Sequence, residues 1–413
     1  MAVIRFLREN ARFLSAGGLL SFSSCYGQTF FIAIFAAQIM GAYGLSDGQW
    51  GGIYTLSTTA SAIVMFWAGT LADRFRVRAL AWIVMPALAL VCLAMAANTT
   101  IVGLIVIVFL LRFLGQGMMS QLAVVAMARW FVARRGLALS ISALGFAVGQ
   151  AAFPVVVASL FGIFSWRTVW ILSAALLMLA FPVIHWLLSA ERTPQSHVEA
   201  ANSAGMHGRH WTRVEVLRSR FFWMLLPMLL GPPAWGTALF FQQVHIAEVK
   251  NWPLIDYLAL IPLLTAVSVV VTVLCGQVID RFGSARLAIV YLIPYAAAFL
   301  VIGLAQNLAT AAIGMALFGI GTGIQATLPA AFWAEFFGTR HIGAIKAVSA
   351  SIMVFGSAVG PGISGALIDL GLTFPEQMIG MSAFFVAANV LVWFAVREAR
   401  THLPSAQIDV VGA

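Results

Sequence analysis

Apolar residues dominate the chain in long runs, and short polar segments separate one run from the next. The runs are about 20–28 residues long and lack strict alternation of apolar and polar positions, which predicts helices that cross a bilayer core of about 30 Å. Twelve spans are predicted, at residues 13–40, 49–71, 79–97, 101–128, 136–163, 166–189, 221–247, 254–279, 286–305, 308–335, 342–369 and 375–396. The predicted fold class is an all-α membrane protein with twelve transmembrane helices.

The composition of the chain also indicates a lipid environment. Of the 413 residues, 62% are hydrophobic and only 9% are charged, and the mean hydropathy is +0.98. A soluble domain carries about 25% charged residues, so this chain has too few of them for a water-exposed surface. In lipid the backbone must satisfy its own polar groups, which leaves helices or closed barrels, and the missing alternation excludes a barrel.

A polar segment in the middle of the sequence divides the spans six plus six. It predicts an N-terminal six-helix bundle at 1–190, a cytoplasmic linker at 191–220 and a C-terminal six-helix bundle at 221–413. Within the linker, Thr212 and Glu215 have the spacing of a capping box, which predicts a short surface helix before span seven.

The two halves share a short motif. The sequence GTLADRF occupies residues 69–75 after span two, and GQVIDRF occupies residues 276–282 after span eight, half a chain length later. Residues 112–140 can likewise be aligned with residues 318–349. Matches in the same order along both halves indicate an internal duplication.

Basic residues predict the orientation of the spans. Lysine and arginine crowd into the segments on the side of the N-terminus, whereas the loops on the other side hold only Arg167 and Lys250. The positive-inside rule therefore predicts that both termini are cytoplasmic. We expect a multi-pass protein of the inner (plasma) membrane. The first span is too long for the apolar core of a signal peptide, and we expect it to be retained.

The six-plus-six arrangement, the central linker and the repeated G-x-x-x-D-R-F motif resemble the major facilitator superfamily over essentially the whole chain. In the first copy Gly69, Leu71, Ala72, Asp73 and Arg74 match that family's motif, while Arg76 stands where the family has glycine. The resemblance implies two pseudo-symmetric bundles around one central site for a small molecule. It also implies alternating access by rocking of the bundles, and a monomer as the functional unit.

Within that family, residues 130–145 (WFVARRGLALSISALG) are similar to the span-five signature of the monocarboxylate transporter and oxalate/formate antiporter group. Ala133 and Leu144 depart from the signature. The acidic–glycine–tryptophan sequence before span one and the arginine of span eight, both found in animal monocarboxylate carriers, are absent.

The repeated motif predicts a gate that opens and closes. Asp73 ends span two, where a carboxylate is unfavourable beside its own helix dipole, so we expect a partner at the N-terminus of span eleven, and one at span five for Asp280. The alternative interpretation is a pair of solvated charges at the membrane surface. The predicted gating residues are Asp73, Arg74, Asp280, Arg281, Arg134, Arg135 and Arg340.

Arg112 is the charged residue that lies deepest in a predicted span. It falls about 16 Å along span four at 1.5 Å per residue, where an arginine costs at least about 2.5 kcal/mol. Every Asp and Glu of the chain falls in a loop or near the end of a span, so an anionic substrate would supply the missing countercharge. Alternatively, Arg112 is a structural residue tied to backbone carbonyls or to polar groups of span one.

Other polar residues are expected to line the same cavity from spans one, four, seven and ten. Each of them could equally form an interhelical hydrogen bond worth about 1 kcal/mol. His245 could also accept a proton near neutral pH. The remaining predicted substrate-binding residues are Tyr26, Gln28, Gln116, Gln242, Gln243, His245 and Gln325.

Glycine and proline concentrate in two spans, at 231–236 and at 356–365. Such runs either break a helix, giving flexibility, or allow close packing of neighbouring helices.

The predicted function is secondary active transport of a small organic anion resembling a monocarboxylate, by proton symport or anion exchange. The alternatives are a drug or metabolite exporter of the same fold and a membrane sensor that transports nothing. The sequence contains no nucleotide-binding, metalloprotease or nucleophile motif, so we expect no enzyme activity, no cofactor and no metal. Cys25, Cys92 and Cys275 are interpreted as core residues. We expect lipid contacts on all sides and no nucleic-acid partner.

Overall fold

The structure, a computed structural model, describes residues 2–68, 71, 75–131, 135–189 and 204–403. All regular elements in these ranges are helical. The described residues divide into two compact units, Met1–Val198 and Glu199–Ala413, which we call unit 1 and unit 2.

Ten α-helices are described in unit 1. They are α1 (Ala2–Glu9), α2 (Ala11–Ser23), α3 (Thr29–Ile32), α4 (Ala36–Tyr43), α5 (Asp47–Ala68), α6 (Val77–Ala97), α7 (Ile101–Leu110), α8 (Ser120–Trp130), α9 (Arg135–Leu160) and α10 (Trp166–Leu188). Two 3₁₀ turns, Ser24–Gly27 and Ala33–Phe35, connect α2 to α4, and a π-helical segment, Leu111–Met119, connects α7 to α8.

Eleven α-helices and the 3₁₀ turn Met206–Gly208 are described in unit 2. They are α11 (Arg213–Arg218), α12 (Arg220–Met224), α13 (Leu226–Phe241), α14 (Gln243–Val249), α15 (Leu254–Leu258), α16 (Leu260–Phe282), α17 (Ser284–Val290), α18 (Ile293–Leu304), α19 (Leu308–Phe337), α20 (Ile342–Asp369) and α21 (Phe374–Arg400).

Each predicted span corresponds to a helix or to a broken helix. In the described ranges, ten helices are long and apolar enough to cross a membrane, and Ala11–Gly27 with Thr29–Tyr43, bent by 48°, adds an eleventh span. The remaining span is α5, in which serine and threonine lower the mean hydropathy of the 22 residues. The predicted all-α membrane fold is confirmed.

The same helix pairings recur in both units. In unit 1, α2 packs against α9, α6 against α10, and α5 against α7. In unit 2, α13 packs against α20, α18 against α21, and α16 against α19. In unit 1 these pairs are spans one and five, three and six, and two and four. In unit 2 they are spans seven and eleven, nine and twelve, and eight and ten. The packing therefore repeats along with the sequence.

The glycine runs serve close packing. Both α13 and α20 continue as helices through their glycines and prolines. A Cβ on Gly360 would clash with the Ala234 carbonyl oxygen, and one on Gly356 would lie 2.9 Å from the Leu230 carbonyl oxygen. Of the two interpretations of these runs, the structure therefore favours packing over a broken helix at 231–236 and 356–365.

The segment before span seven, which belongs to unit 2, is hydrogen-bonded to the ends of α19 and α21. The Trp211 backbone N–H donates to the Phe337 carbonyl at 3.0 Å, and the His207 backbone N–H donates to the His402 carbonyl at 2.7 Å. The predicted capping box is confirmed, since Thr212 and Glu215 each accept from the other's backbone N–H at the start of α11. Residues 190–203 of the predicted linker lie outside the described ranges.

Candidate functional site

Span one is interrupted near its middle. After α2 the chain forms the 3₁₀ turn Ser24–Gly27, and Gln28 then adopts an extended conformation (φ −86°, ψ 154°) before α3 begins. Gly27 is required here, because a Cβ on it would lie 2.7 Å from the Gly115 Cα and closer still to the Leu111 carbonyl oxygen. The break in span one therefore rests directly on the backbone of span four.

The facing part of span four is itself irregular. Leu111–Met119 forms a π-helical segment, a conformation that is rare and frequently occurs at functional sites. Gly115 completes the contact, since a Cβ there would lie 2.6 Å from the Gly27 Cα. Two irregular segments thus meet at the level of Arg112.

Arg112 is almost completely buried at this meeting point, with 1% of its surface exposed. Its Nη1 donates to the Gly27 carbonyl at 3.2 Å and to Thr29 Oγ1 at 3.3 Å. Its Cζ lies 5.2 Å from the centre of the Tyr54 ring, within the range of a cation–π interaction. Tyr54 and Thr29 are hydrogen-bonded to each other, so spans one, two and four enclose the guanidinium group.

The guanidinium group has one N–H donor and a positive charge that the described residues do not satisfy. In the described part of the chain, no carboxylate pairs with Arg112 and its buried Nε has no hydrogen-bond partner. A buried charge without a counterion is costly, and a buried donor without an acceptor costs about 1–3 kcal/mol. The contacts of Nη1 match the structural interpretation of Arg112, while the Nε without a partner and the unpaired charge are what a bound anion would satisfy.

Three other predicted residues lie in unit 1 around this point. Gln28 forms the break itself and is buried, and Tyr26 is buried against the rings of Phe31 and Phe153. Gln116 is half-buried within the π-helical segment. The structure therefore brings Tyr26, Gln28 and Gln116 to the two irregular segments that enclose Arg112.

The four predicted residues of unit 2 have different surroundings. Buried Gln242 stands between α13 and α14, and its Nε2 donates to Ser364 Oγ at 3.2 Å. Gln325 Oε1 accepts from the Tyr295 hydroxyl at 2.6 Å. Gln243 is buried, and half-buried His245 has a buried Nε2 without a hydrogen-bond partner among the described residues. The amides of Gln242 and Gln325 are thus already engaged within unit 2.

Most of the predicted gate lies outside what the structure describes. Asp73, Arg74 and Arg134 fall outside the described ranges, and the side chains of Arg135 and Asp280 are also not described. Arg281 is exposed, with its Cζ 5.3 Å from the centre of the Phe282 ring. Arg340 is exposed too, and its backbone N–H faces His210 Nδ1 at 3.5 Å. The gate therefore stays a prediction.

Two residues that the sequence did not single out contact the repeated motif at its last residue or just after it. In unit 1, Arg129 Nη1 donates to the Phe75 carbonyl at 3.4 Å. In unit 2, the Glu335 carboxylate accepts from the backbone N–H of Ser284 at 2.9 Å and from its hydroxyl. Arg129 and Glu335 occupy matching places near the ends of spans four and ten, so the duplication itself was the signal that could have identified them.

The Major Facilitator Superfamily sequence pattern matches residues 17–348 and, in a second overlapping match, residues 265–411. The chain belongs to the Major Facilitator Superfamily. Members of this family are membrane transporters that work by alternating access, not enzymes. Within the described residues, no group of three or more His, Cys, Asp or Glu side chains could hold a metal ion.

The chain is similar to the riboflavin transporter MCH5 of Saccharomyces cerevisiae, with 24% identity over 304 residues, or 67% of the chain. That alignment spans 57% of the relative's length, so the chain matches little more than half of it.

Two solved structures share the fold of this chain. One is a bacterial homologue of the human lysosomal transporter Spinster, inward-facing and unoccupied, with a TM-score of 0.69 and 15% identity over 96% of this chain and 98% of that chain. The other is the nucleoside transporter NupG, with a TM-score of 0.67 and 12% identity over 94% and 99%. At these identities they establish the fold alone. The assignment to the monocarboxylate and oxalate/formate group stays a prediction.

Proposed function

We propose that this transporter carries a small organic anion resembling a monocarboxylate, and that Arg112 binds its carboxylate. The observation that carries the proposal is the almost completely buried guanidinium without a carboxylate partner in the described part of the chain. Transport would be coupled to a proton or to exchange for a second anion.

The donor geometry of Arg112 supports a carboxylate ligand. A guanidinium group has five N–H donors in a planar fork that matches the two oxygens of a carboxylate. The hydrogen bonds of Arg112 to Gly27 and Thr29 use Nη1, and Nε remains without a partner in the described residues. A carboxylate would supply the missing acceptor together with the missing negative charge, and such charge-assisted pairs are about twice as strong as neutral hydrogen bonds.

The irregular backbone around Arg112 supports a site at the same place. Broken helices in membrane transporters commonly surround substrate sites, because non-helical backbone at membrane depth is tolerated only where protein or a cavity satisfies it. Here the Gly27 carbonyl, at the break in span one, accepts a hydrogen bond from Arg112, and Gln116 belongs to the same π-helical segment as Arg112. A substrate that competes for Nη1 would thereby act on the conformation of span one.

His245 is the residue we propose for proton coupling. Its Nε2 is buried without a hydrogen-bond partner among the described residues, and an imidazole nitrogen can accept a proton. If transport is proton-coupled, His245→Gln should abolish acceleration of uptake by an inward proton gradient. Exchange of one anion for another would then continue.

One observation favours the alternative of an exporter for apolar solutes. Unit 1 has a groove of about 570 Å³ between α2 and α9, lined by apolar residues such as Leu14, Phe22 and Leu144, with Ser15 as the polar side chain in its wall. In that case Arg112 would serve only to hold the broken segment of span one.

Uptake into proteoliposomes distinguishes the two functions. Arg112→Gln should abolish saturable uptake of labelled small organic acids, and Arg112→Lys should retain part of it because lysine keeps the charge without the fork. Thr29→Val is the matched control, since it removes one contact of Nη1 and leaves the charge in place. Equal uptake by Arg112→Gln and the wild type would remove the organic-anion proposal, and export of apolar compounds by both would favour the alternative.

A further inference from the structure

The end of unit 2 where α21 terminates carries a basic pocket of about 480 Å³. Arg286 lines it from α17, and Arg397 and Arg400 line it from the last turn of α21. We call this the arginine pocket. Its volume falls within the range of about 300–1,000 Å³ that is typical of ligand sites.

Positive charge in the arginine pocket exceeds the negative charge. Three arginines stand against Glu335, and that carboxylate already accepts the two hydrogen bonds from Ser284. Arg397 lies over the ring of Trp393, 5.2 Å from its centre. The guanidinium groups of Arg286 and Arg400 form no hydrogen bond or ion pair with the residues that the structure describes.

The helix dipole does not account for this arrangement. Arginines in the last turn of α21 are favourable beside the negative end of the helix, which explains Arg397 and Arg400. Arg286 lies in the first turn of α17, where the dipole disfavours a cation. Its position facing the other two arginines therefore indicates an anion that all three share.

The mouth of the pocket is apolar on its outer side. Phe282 and Trp393 line the pocket and are also exposed, and exposed Phe394 lines an adjoining cavity together with Arg397. In a chain that spans a membrane, exposed apolar side chains at the end of a span face acyl chains. The pocket thus joins a basic interior to a surface for hydrocarbon.

We propose that the arginine pocket binds the phosphate headgroup of an anionic phospholipid, with its acyl chains lying over Phe282, Trp393 and Phe394. The positive-inside rule places this end of unit 2 on the cytoplasmic side, where basic pockets between membrane helices meet anionic headgroups. Arginine suits the task because its fork pairs with two phosphate oxygens at once. The lipid would tie the end of α21 to the start of α17.

The test uses the full-length protein purified in detergent, with lipid binding followed by native mass spectrometry and by thermal stability. The probes are phosphatidylglycerol, phosphatidylcholine with the same acyl chains, and soluble glycerol phosphate. Arg286→Gln/Arg400→Gln should weaken phosphatidylglycerol binding about 25-fold, because each arginine contributes a factor of about five to the affinity. Arg286→Lys/Arg400→Lys should retain part of the binding and guards against a folding defect.

The matched control is Arg213→Gln/Arg218→Gln, which removes two exposed arginines of the same unit outside the pocket. It should bind phosphatidylglycerol as the wild type does. The proposal is overturned if the two glutamine double variants bind this lipid equally, or if phosphatidylcholine binds as tightly. Glycerol phosphate stabilising the protein as well as the lipid would also overturn it, because the site would then belong to a free phosphate.

Discussion

Replacing Gly115 by alanine tests the contact that encloses Arg112. The new Cβ would lie 2.6 Å from the Gly27 Cα and 2.7 Å from the Gly27 N, and both are backbone atoms that cannot rotate away. Forcing an extra methyl group into a packed core costs about 1–3 kcal/mol. We therefore expect the break in span one and the π-helical segment to move apart and Arg112 to lose its hydrogen bond to Gly27.

Gly52→Ala in α5 is the matched control, because a Cβ there has no neighbour within 4 Å. Both variants gain the better helix propensity of alanine, about 1 kcal/mol, so the difference between them isolates the contact. For a cooperative unit of about 200 residues, 1–3 kcal/mol corresponds to about 2–12 °C in the unfolding temperature.

The assay is thermal unfolding of the purified protein, followed by uptake in proteoliposomes. The unfolding temperature of Gly115→Ala should lie below that of Gly52→Ala by this margin. At equal amounts in the membrane, Gly115→Ala should also transport more slowly. If the two variants unfold at the same temperature and transport equally, then the close approach of spans one and four is not a feature of the protein.

Further predictions concern the gate, the topology and the linker. Asp73→Asn and Asp280→Asn should each slow transport strongly at normal expression, as measured by uptake; full rates in the double variant would contradict a gating role. A reporter fused after the last residue should report a cytoplasmic location and one beside Lys250 the opposite side, and a C-terminus outside would contradict the twelve spans. Hydrogen bonds from the Thr212 backbone N–H and hydroxyl lower the pKa of Glu215 below its usual 4.5. The stabilising effect of this cap should therefore be complete above about pH 4.5 and be lost as the pH falls through the lowered pKa of Glu215. Amide hydrogen exchange of α11, corrected for its intrinsic rate, measures this effect. Exchange that does not change with pH in that range would contradict the prediction.

The fold was predictable because hydrophobic runs and repeats are local properties of the sequence. The apolar runs identified all twelve spans, although α5 carries enough serine and threonine to fall below the others in hydropathy. The interruption at Gln28 was not predicted, because span one contains no proline there. It depends on Gly27 meeting the backbone of Leu111, a contact between residues far apart in the chain.

The candidate site was predictable only in part. A lone arginine in an apolar run identified Arg112, and the sequence alternatives included its contact with span one. Tyr54 and Thr29 were missed, since a tyrosine and a threonine in apolar spans carry no signal of which partner they face. In unit 2, the Tyr295 hydroxyl donates a hydrogen bond to the amide oxygen of Gln325, and this contact was missed for the same reason.

The binding of an acid and of its matching amide to the purified protein tests the central claim, that Arg112 binds an anionic substrate. A ligand that binds the folded protein stabilises it by about 2.7 kcal/mol when its concentration is 100 times its dissociation constant. The account predicts that a small organic acid raises the unfolding temperature of the wild type, that the amide does not, and that Arg112→Gln abolishes the effect of the acid. Equal stabilisation by acid and amide, or a full effect of the acid on Arg112→Gln, would contradict the claim and leave Arg112 as a structural residue of span four.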